Sequence, residues 1–177
     1  MTVYAHVDSP IGRLLLLADE RSLCGLHMDV AGREPKGRAG WLERPDAAPL
    51  RDAARQLEEY FGGARRRFDL PLRLEGTPFQ RRVWQALLDI PFGDTESYGQ
   101  LARRIGNPGA SRAVGLANNR NPVAIIVPCH RVIGADGSLT GYGGGLDRKS
   151  WLLVHEGAAS AQTALWPPFG KVAKKMA

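Results

Sequence analysis

"SYGQLARRIGNPGASRAVGLANNRNP", residues 97–122, decides how the second half of this chain folds. Ser97 is a good N-cap and Gly106 a good C-terminal stop, so a first short helix runs between them. Gly106-Asn107-Pro108 makes a tight turn, and a second helix follows. Two short helices joined this way form a helix-turn-helix candidate, the arrangement that lays its second helix in a DNA groove. The second helix is built from small residues: Ala110, Ser111, Ala113, Gly115 and Ala117. Small side chains let a backbone approach another surface closely, whether a nucleic-acid groove or a neighbouring element. Arg112 is its main long polar side chain before Arg120.

The charge pattern bears on that choice. The chain carries a net charge of +6. Residues 1–70 hold 11 basic and 11 acidic side chains, so the whole excess lies beyond them. From Ser97 to Ala135 there is no Asp or Glu, but there are five arginines: Arg103, Arg104, Arg112, Arg120 and Arg131. A stretch of one sign attracts a polyanion, and DNA or RNA is the commonest.

Working outward, "GTPFQRRVWQALLDIPFG" (76–93) opens the second part with Thr77 as N-cap and Pro78 at the first helical position. Phe79, Val83 and Leu87 line one face. The apolar run Val123–Val127 has the pattern of a buried strand. Residues 134–145 contain six glycines and read as a loop whose backbone approaches something closely. "LDRKSWLLVHEG" (146–157) is a final helix closed by Gly157. Before residue 76, "VYAHVDSPIGRLLLLADERSLCGLHMDV" (3–30) reads as strands joined by turns, and 31–49 as a loop. "LRDAARQLEEYFGG" (50–63) has helical spacing, and "RRRFDLPLRL" (65–74) is another strand candidate. The expected architecture is α+β: a sheet-plus-helix domain over 1–75, a mainly helical domain over 76–160, and a tail over 161–177.

A chain of 177 residues with 44% hydrophobic and 24% charged content can bury a real core, so a soluble globular protein is expected and a disordered one is excluded. No apolar run approaches the roughly 20 residues of a membrane helix. The N-terminus lacks the pattern of a signal peptide. Two cysteines, Cys24 and Cys129, cannot make a disulfide framework, so a reducing, cytoplasmic location is the default.

Chemistry concentrates at "IVPCHRVIG" (126–134). A cysteine is nucleophilic as its thiolate. His130 is adjacent, but neighbours on an extended segment point opposite ways, so a bridging water can serve where direct contact fails. Glu156 could orient the histidine, completing an acid–base relay. A lone internal cysteine can also be a small core residue. Cys24 and His27 have C-x-x-H spacing, but no second matched pair completes a zinc site. Cys24 reads as a buried strand residue, and no metal or cofactor is expected.

"IVPCHRVIG" with "GYGGGLDRKSWLLVHEG", and with "GTPFQRRVWQAL", "SYGQLA" and "SRAVGLANNRNP", resembles the methylated-DNA–protein-cysteine methyltransferases, the O6-alkylguanine-DNA alkyltransferases. The match spans about residues 76–157, and "DSPIGRL" near the N-terminus resembles the family more weakly. The resemblance implies single-turnover repair. Cys129 takes the alkyl group from O6 of guanine, and from O4 of thymine, in double-stranded DNA. His130, held by Glu156, activates it through water. Arg112 falls on the arginine finger, Tyr98 on the tyrosine near the guanine ring, and Asn121 on the hinge asparagine. Val132, Tyr142 and Gly143 would line the base pocket. Ser111, Ala113, Gly115 and Arg120 belong to the DNA-binding face. A monomer that can cluster on DNA is expected. Alkyltransferase-like proteins lack the acceptor cysteine, so Cys129 argues against that class. Mammalian members carry proline at the place of Ala124 and serine at that of Gly143, a difference that bears on which bulky adducts fit. The rival readings are a DNA-binding module with a structural cysteine, and a cysteine hydrolase.

Overall fold

The computed structural model describes residues 1–30, 35 and 37–158. The expected tail, 161–177, and part of the 31–49 loop lie outside the described residues. The chain divides into two compact units, with the division between Leu74 and Glu75.

The first unit is a four-stranded sheet in the order β3-β2-β1-β4. β1 (Val3–Val7), β2 (Leu14–Ala18) and β3 (Leu23–Met28) form an antiparallel meander. β2 is "LLLLA", buried at every position, as suits the strand with neighbours on both sides. The segment read as loop contributes a short strand, β4 (Leu42–Glu43), parallel to β1. α1 (Ala48–Phe61) buries Leu50, Ala53, Leu57 and Tyr60, the stripe that its spacing predicts.

Two expectations fail here. "RRRFDLPLRL" does not form a strand; it contributes one bridge, Leu23 with Leu72. Its backbone is committed elsewhere: the buried Gln56 side chain donates to Asp69 O and accepts from Asp69 N, both at 2.8 Å. Pro71 also lacks an N–H to offer. Cys24 does lie in β3, but half-buried.

The second unit is mainly helical. α2 (Pro78–Leu87) and α3 (Tyr98–Arg104) both begin with capping boxes, Thr77 with Gln80 and Ser97 with Gln100. Gly106, at φ 78°, ends α3 in the left-handed region. α4 (Ser111–Asn119) follows, and its core side carries Val114, Ala117 and Asn118. Trp84 of α2 is buried, and its indole Nε1 donates to Ala117 O at 2.8 Å, which ties α2 to α4. β5 (Glu96–Ser97) pairs in parallel with β6 (Val132–Ile133). α5 (Leu146–His155) closes the unit.

Val123–Val127 is not a strand. It is a compact turn with Ile126 N bonded to Ala124 O and Val127 N to Val123 O, and Ile125 has a positive φ of 71°. Asn121 brackets it, accepting from Val123 N at 3.0 Å and donating to Val127 O at 2.7 Å. Its apolar side chains are buried all the same, which is why the run resembles a core strand in sequence. The segment after it is not extended either: Cys129–Arg131 is one turn of 3-10 helix.

Trp84→Phe keeps most of the apolar packing and removes one buried hydrogen bond. It should destabilise by about 1 kcal/mol. Urea unfolding would show a lower midpoint at unchanged slope; an unmoved midpoint would remove this bond from the account.

Candidate active site

The 3-10 turn sets the geometry of the site. It puts Cys129, His130 and Arg131 in the interior together; Cys129 is 4% exposed and His130 fully buried. Glu156 caps the C-terminal end of α5 and is also buried. Its Oε1 lies 2.8 Å from His130 Nε2. Arg131 grips the same carboxylate, with Nε 2.8 Å from Oε2 and an Nη 2.9 Å from Oε1. The other Nη of Arg131 donates to Ile90 O at 2.6 Å, tying the turn to the loop after α2. That loop approaches closely: a Cβ on Gly93 would lie 3.1 Å from Glu156 O, and Gly93 has φ 88°. Asn118 Nδ2 donates to Cys129 O at 3.2 Å, so α4 holds the cysteine backbone.

Burial works against the Glu156 carboxylate, but His130 and the Arg131 guanidinium outweigh it and hold it ionised. An ionised carboxylate only accepts, so His130 Nε2 carries the hydrogen. Nδ1 is then the basic lone pair, and it is buried with no hydrogen-bond partner among the described residues. Burial lowers the His130 pKa, against the pull of Glu156, so the ring is neutral and able to take a proton. Burial raises the Cys129 thiol above its ordinary value. The Asn121 amide, the Lys149 charge and the backbone N–H groups of Cys129 and His130 oppose that rise without cancelling it. The resting group is the thiol, and its proton must be removed when the sulfur reacts.

Lys149, absent from the sequence reading, is fully buried on α5. Its Nζ donates to Val132 O at 2.5 Å and Thr140 O at 2.9 Å. It lies 5.9 Å from the ring centroids of both Tyr98 and Tyr142. Thr140 O also accepts from the Tyr98 hydroxyl at 3.0 Å. Tyr98, Val132, Thr140 and Tyr142 thus meet around the Lys149 ammonium, with Gly143 next in the chain after Tyr142. Arg131, Asn118 and Lys149 were the residues missed. The signal for Lys149 was present: Lys149, Leu153 and Glu156 follow i, i+4, i+7 spacing, which places a lysine on the face that buries a leucine.

α4 presents the remaining residues outward. Arg112, Ala113 and Arg120 are exposed, and Ser111 and Gly115 half-exposed. Gly115 backs onto the Tyr98 ring, 3.7 Å from where its Cβ would sit. Of the five arginines between Ser97 and Ala135, two are held by carboxylates. Arg131 is buried on Glu156, and Arg104 pairs with Glu96 and Asp89. Arg103, Arg112 and Arg120 are the exposed ones without an ion pair among the described residues. The described residues contain no group of three or more His, Cys, Asp or Glu that could hold a metal. No described helix is long and apolar enough to cross a membrane.

Burial depresses the Lys149 pKa to about 8, with the Cys129 charge working against it. Below about 8 the lysine is charged in both folded and unfolded chains, so its burial cost is pH-independent there. Between about 8 and 10.4 the unfolded chain binds more protons, so stability rises with pH. The wild type should therefore gain stability over this window relative to Lys149→Met, by an amount on the order of 3 kcal/mol. Denaturant unfolding of both proteins at several pH values measures the difference; a flat difference contradicts the assignment.

Two family models match the chain. "6-O-methylguanine DNA methyltransferase, ribonuclease-like domain" covers residues 2–74, and "6-O-methylguanine DNA methyltransferase, DNA binding domain" covers 78–158. A methylated-DNA–protein-cysteine methyltransferase of Mycolicibacterium paratuberculosis is 56% identical, covering 88% of this chain and 93% of the relative. One of Methanosarcina acetivorans is 54% identical, covering 88% and 98%. The crystal structure of Mycobacterium tuberculosis OGT in complex with DNA superposes with a TM-score of 0.82 at 52% identity, covering 93% of this chain and 99% of that one. With the two models matching residues 2–74 and 78–158 and relatives above half identity, this chain belongs to the 6-O-methylguanine DNA methyltransferase family.

Proposed function

We propose that this protein repairs alkylated DNA by moving the alkyl group from O6 of guanine, and from O4 of thymine, onto its own Cys129. The observation that carries the site assignment is the buried His130–Glu156 contact beside a buried free thiol. The sulfur attacks the alkyl carbon; the S–C bond forms as the C–O6 bond breaks. His130 Nδ1 takes the thiol proton, directly or through one water, while Glu156 and Arg131 hold the ring in the required tautomer. The displaced guanine gains electron density, which the Tyr98 hydroxyl offsets by donating a proton, leaving Thr140 O to do so. His130 is left holding the sulfur's proton and Tyr98 short of one; return of the first to the second through solvent restores both, so the net change is one proton moved from sulfur to the base. The thioether is stable, so each molecule acts once.

A thiol this buried cannot reach a base inside a duplex, so the base must leave the stack. Val132, Tyr142 and Gly143 receive it. α4 presses its small residues Ser111, Ala113 and Gly115 toward the minor groove, Arg112 fills the vacated place, and Arg120 meets phosphate. Asn121 fixes the turn that joins α4 to Cys129. The partner is double-stranded DNA, the working form a monomer able to cluster on DNA, and the location cytoplasmic.

Incubation with O6-methylguanine duplex should add about 14 Da, one CH₂, to a peptide containing Cys129, with one transfer per protein molecule. Cys129→Ser should bind DNA and gain no mass. A methyl group mapped to Cys24 would overturn the assignment, and repeated turnover would point to a hydrolase.

His130→Ala and Glu156→Gln should each slow transfer by something on the order of 10²-fold or more. Single-turnover kinetics on variants shown to be folded measure this, and rates equal to wild type at neutral pH would remove the pair from the mechanism.

A further inference from the structure

One face of α4 is left without a partner among the described residues of its unit. Its exposed residues are Arg112, Ala113, Leu116, Asn119 and Arg120. Spacing of four puts Arg112, Leu116 and Arg120 in one stripe, with an arginine at each end and a leucine between. Leu116 is 65% exposed, the highest value for a large apolar side chain of this unit among the described residues. A single exposed leucine on a surface is ordinary. This one stands between two arginines on a helix that also turns Ser111, Ala113 and Gly115 outward, where alanine would serve helix formation equally well. It is also one turn from an arginine with no ion pair, on a helix whose Gly115 backs onto Tyr98.

We propose that Leu116 is the apolar contact of this helix with duplex DNA, seated against the sugar walls of the minor groove beside the displaced nucleotide. The proposal rests on the reading of α4 as the DNA-facing helix. The charges select the occupant: two arginines bracket the leucine, and no acidic residue lies anywhere from Ser97 to Ala135. Arg120 meets a flanking phosphate and Arg112 the vacated place in the stack, and the groove wall between them is sugar C–H, which matches cation–apolar–cation along one stripe. Leucine reaches further than the alanine and glycine around it, so it fits a groove that has been opened. Base displacement and bending open it. Leu116 would thereby favour the distorted duplex over the relaxed one and act as a specificity residue for the duplex substrate.

The test compares transfer from a short O6-methylguanine duplex, long enough for one protein, with transfer from free O6-benzylguanine. Leu116→Ala should lose about tenfold on subsaturating duplex and far less on the free base. The slope of log affinity against log salt should stay as in wild type, since no phosphate contact is lost, whereas Arg120→Ala should flatten it by about one unit. Leu116→Met, which restores apolar reach, should recover most of the duplex rate. Three results would overturn the proposal: duplex transfer by Leu116→Ala equal to wild type, an equal loss on the free base, or a loss seen only on long duplexes that hold several proteins, which would make the partner a second copy of this chain. Arg112→Ala, measured alongside, separates the levels. If it loses duplex transfer and Leu116→Ala does not, only this inference fails. If neither does, the reading of α4 fails with it.

Discussion

One carboxylate in the interior has two claimants. Glu156 accepts from His130 and twice from Arg131, and all three side chains are buried. The guanidinium cannot give up its proton, so the carboxylate cannot give up its charge. That fixes the histidine tautomer, which in turn leaves Nδ1 as the site that can take a proton. The same guanidinium reaches Ile90 O, so the loop after α2, the cysteine turn and the end of α5 are clamped at one point. Truncating any member would leave a buried charge or donor unmatched, which costs far more than the bond itself gains.

The charges around the sulfur explain how a buried thiol can still be a nucleophile. Glu156 and Arg131 cancel. Lys149, deep in the same unit, has no carboxylate among its bonds and leans on two carbonyls. A thiolate at Cys129 would balance it. Burial raises the thiol and depresses the lysine, and the charge of each opposes the other's shift without cancelling it. The site therefore rests with a proton on sulfur and makes the anion only when the proton has somewhere to go. In the transfer proposed above, alkylation of Cys129 would remove that anion for good and leave the lysine to lean on its carbonyls alone.

The sequence made much of this legible. Thr77-Pro78, Ser97 and Gly106 announced the helix ends of the second unit, because capping is local chemistry. The Cys129, His130 and Glu156 constellation was readable from "PCHRVIG" and the final helix. Three things were not. The run Val123–Val127 is apolar because it is buried, and burial alone does not distinguish a strand from a turn held by Asn121 at both ends. Arg131 was counted with the surface arginines, since nothing local says that a guanidinium will meet a carboxylate 25 residues away. Lys149 looked like an ordinary helix lysine, although its spacing to Leu153 and Glu156 marked the inward face. Tertiary contact decided each case.

The central claim is that Glu156, held ionised by Arg131, keeps His130 neutral with its hydrogen on Nε2. Nitrogen-15 NMR of the protein labelled in histidine tests it most directly. At neutral pH the His130 ring should show a protonated Nε2 and an unprotonated Nδ1, and its second protonation should come at a lower pH than that of an ordinary histidine. A doubly protonated His130 ring at neutral pH, or a hydrogen on Nδ1, would contradict the account.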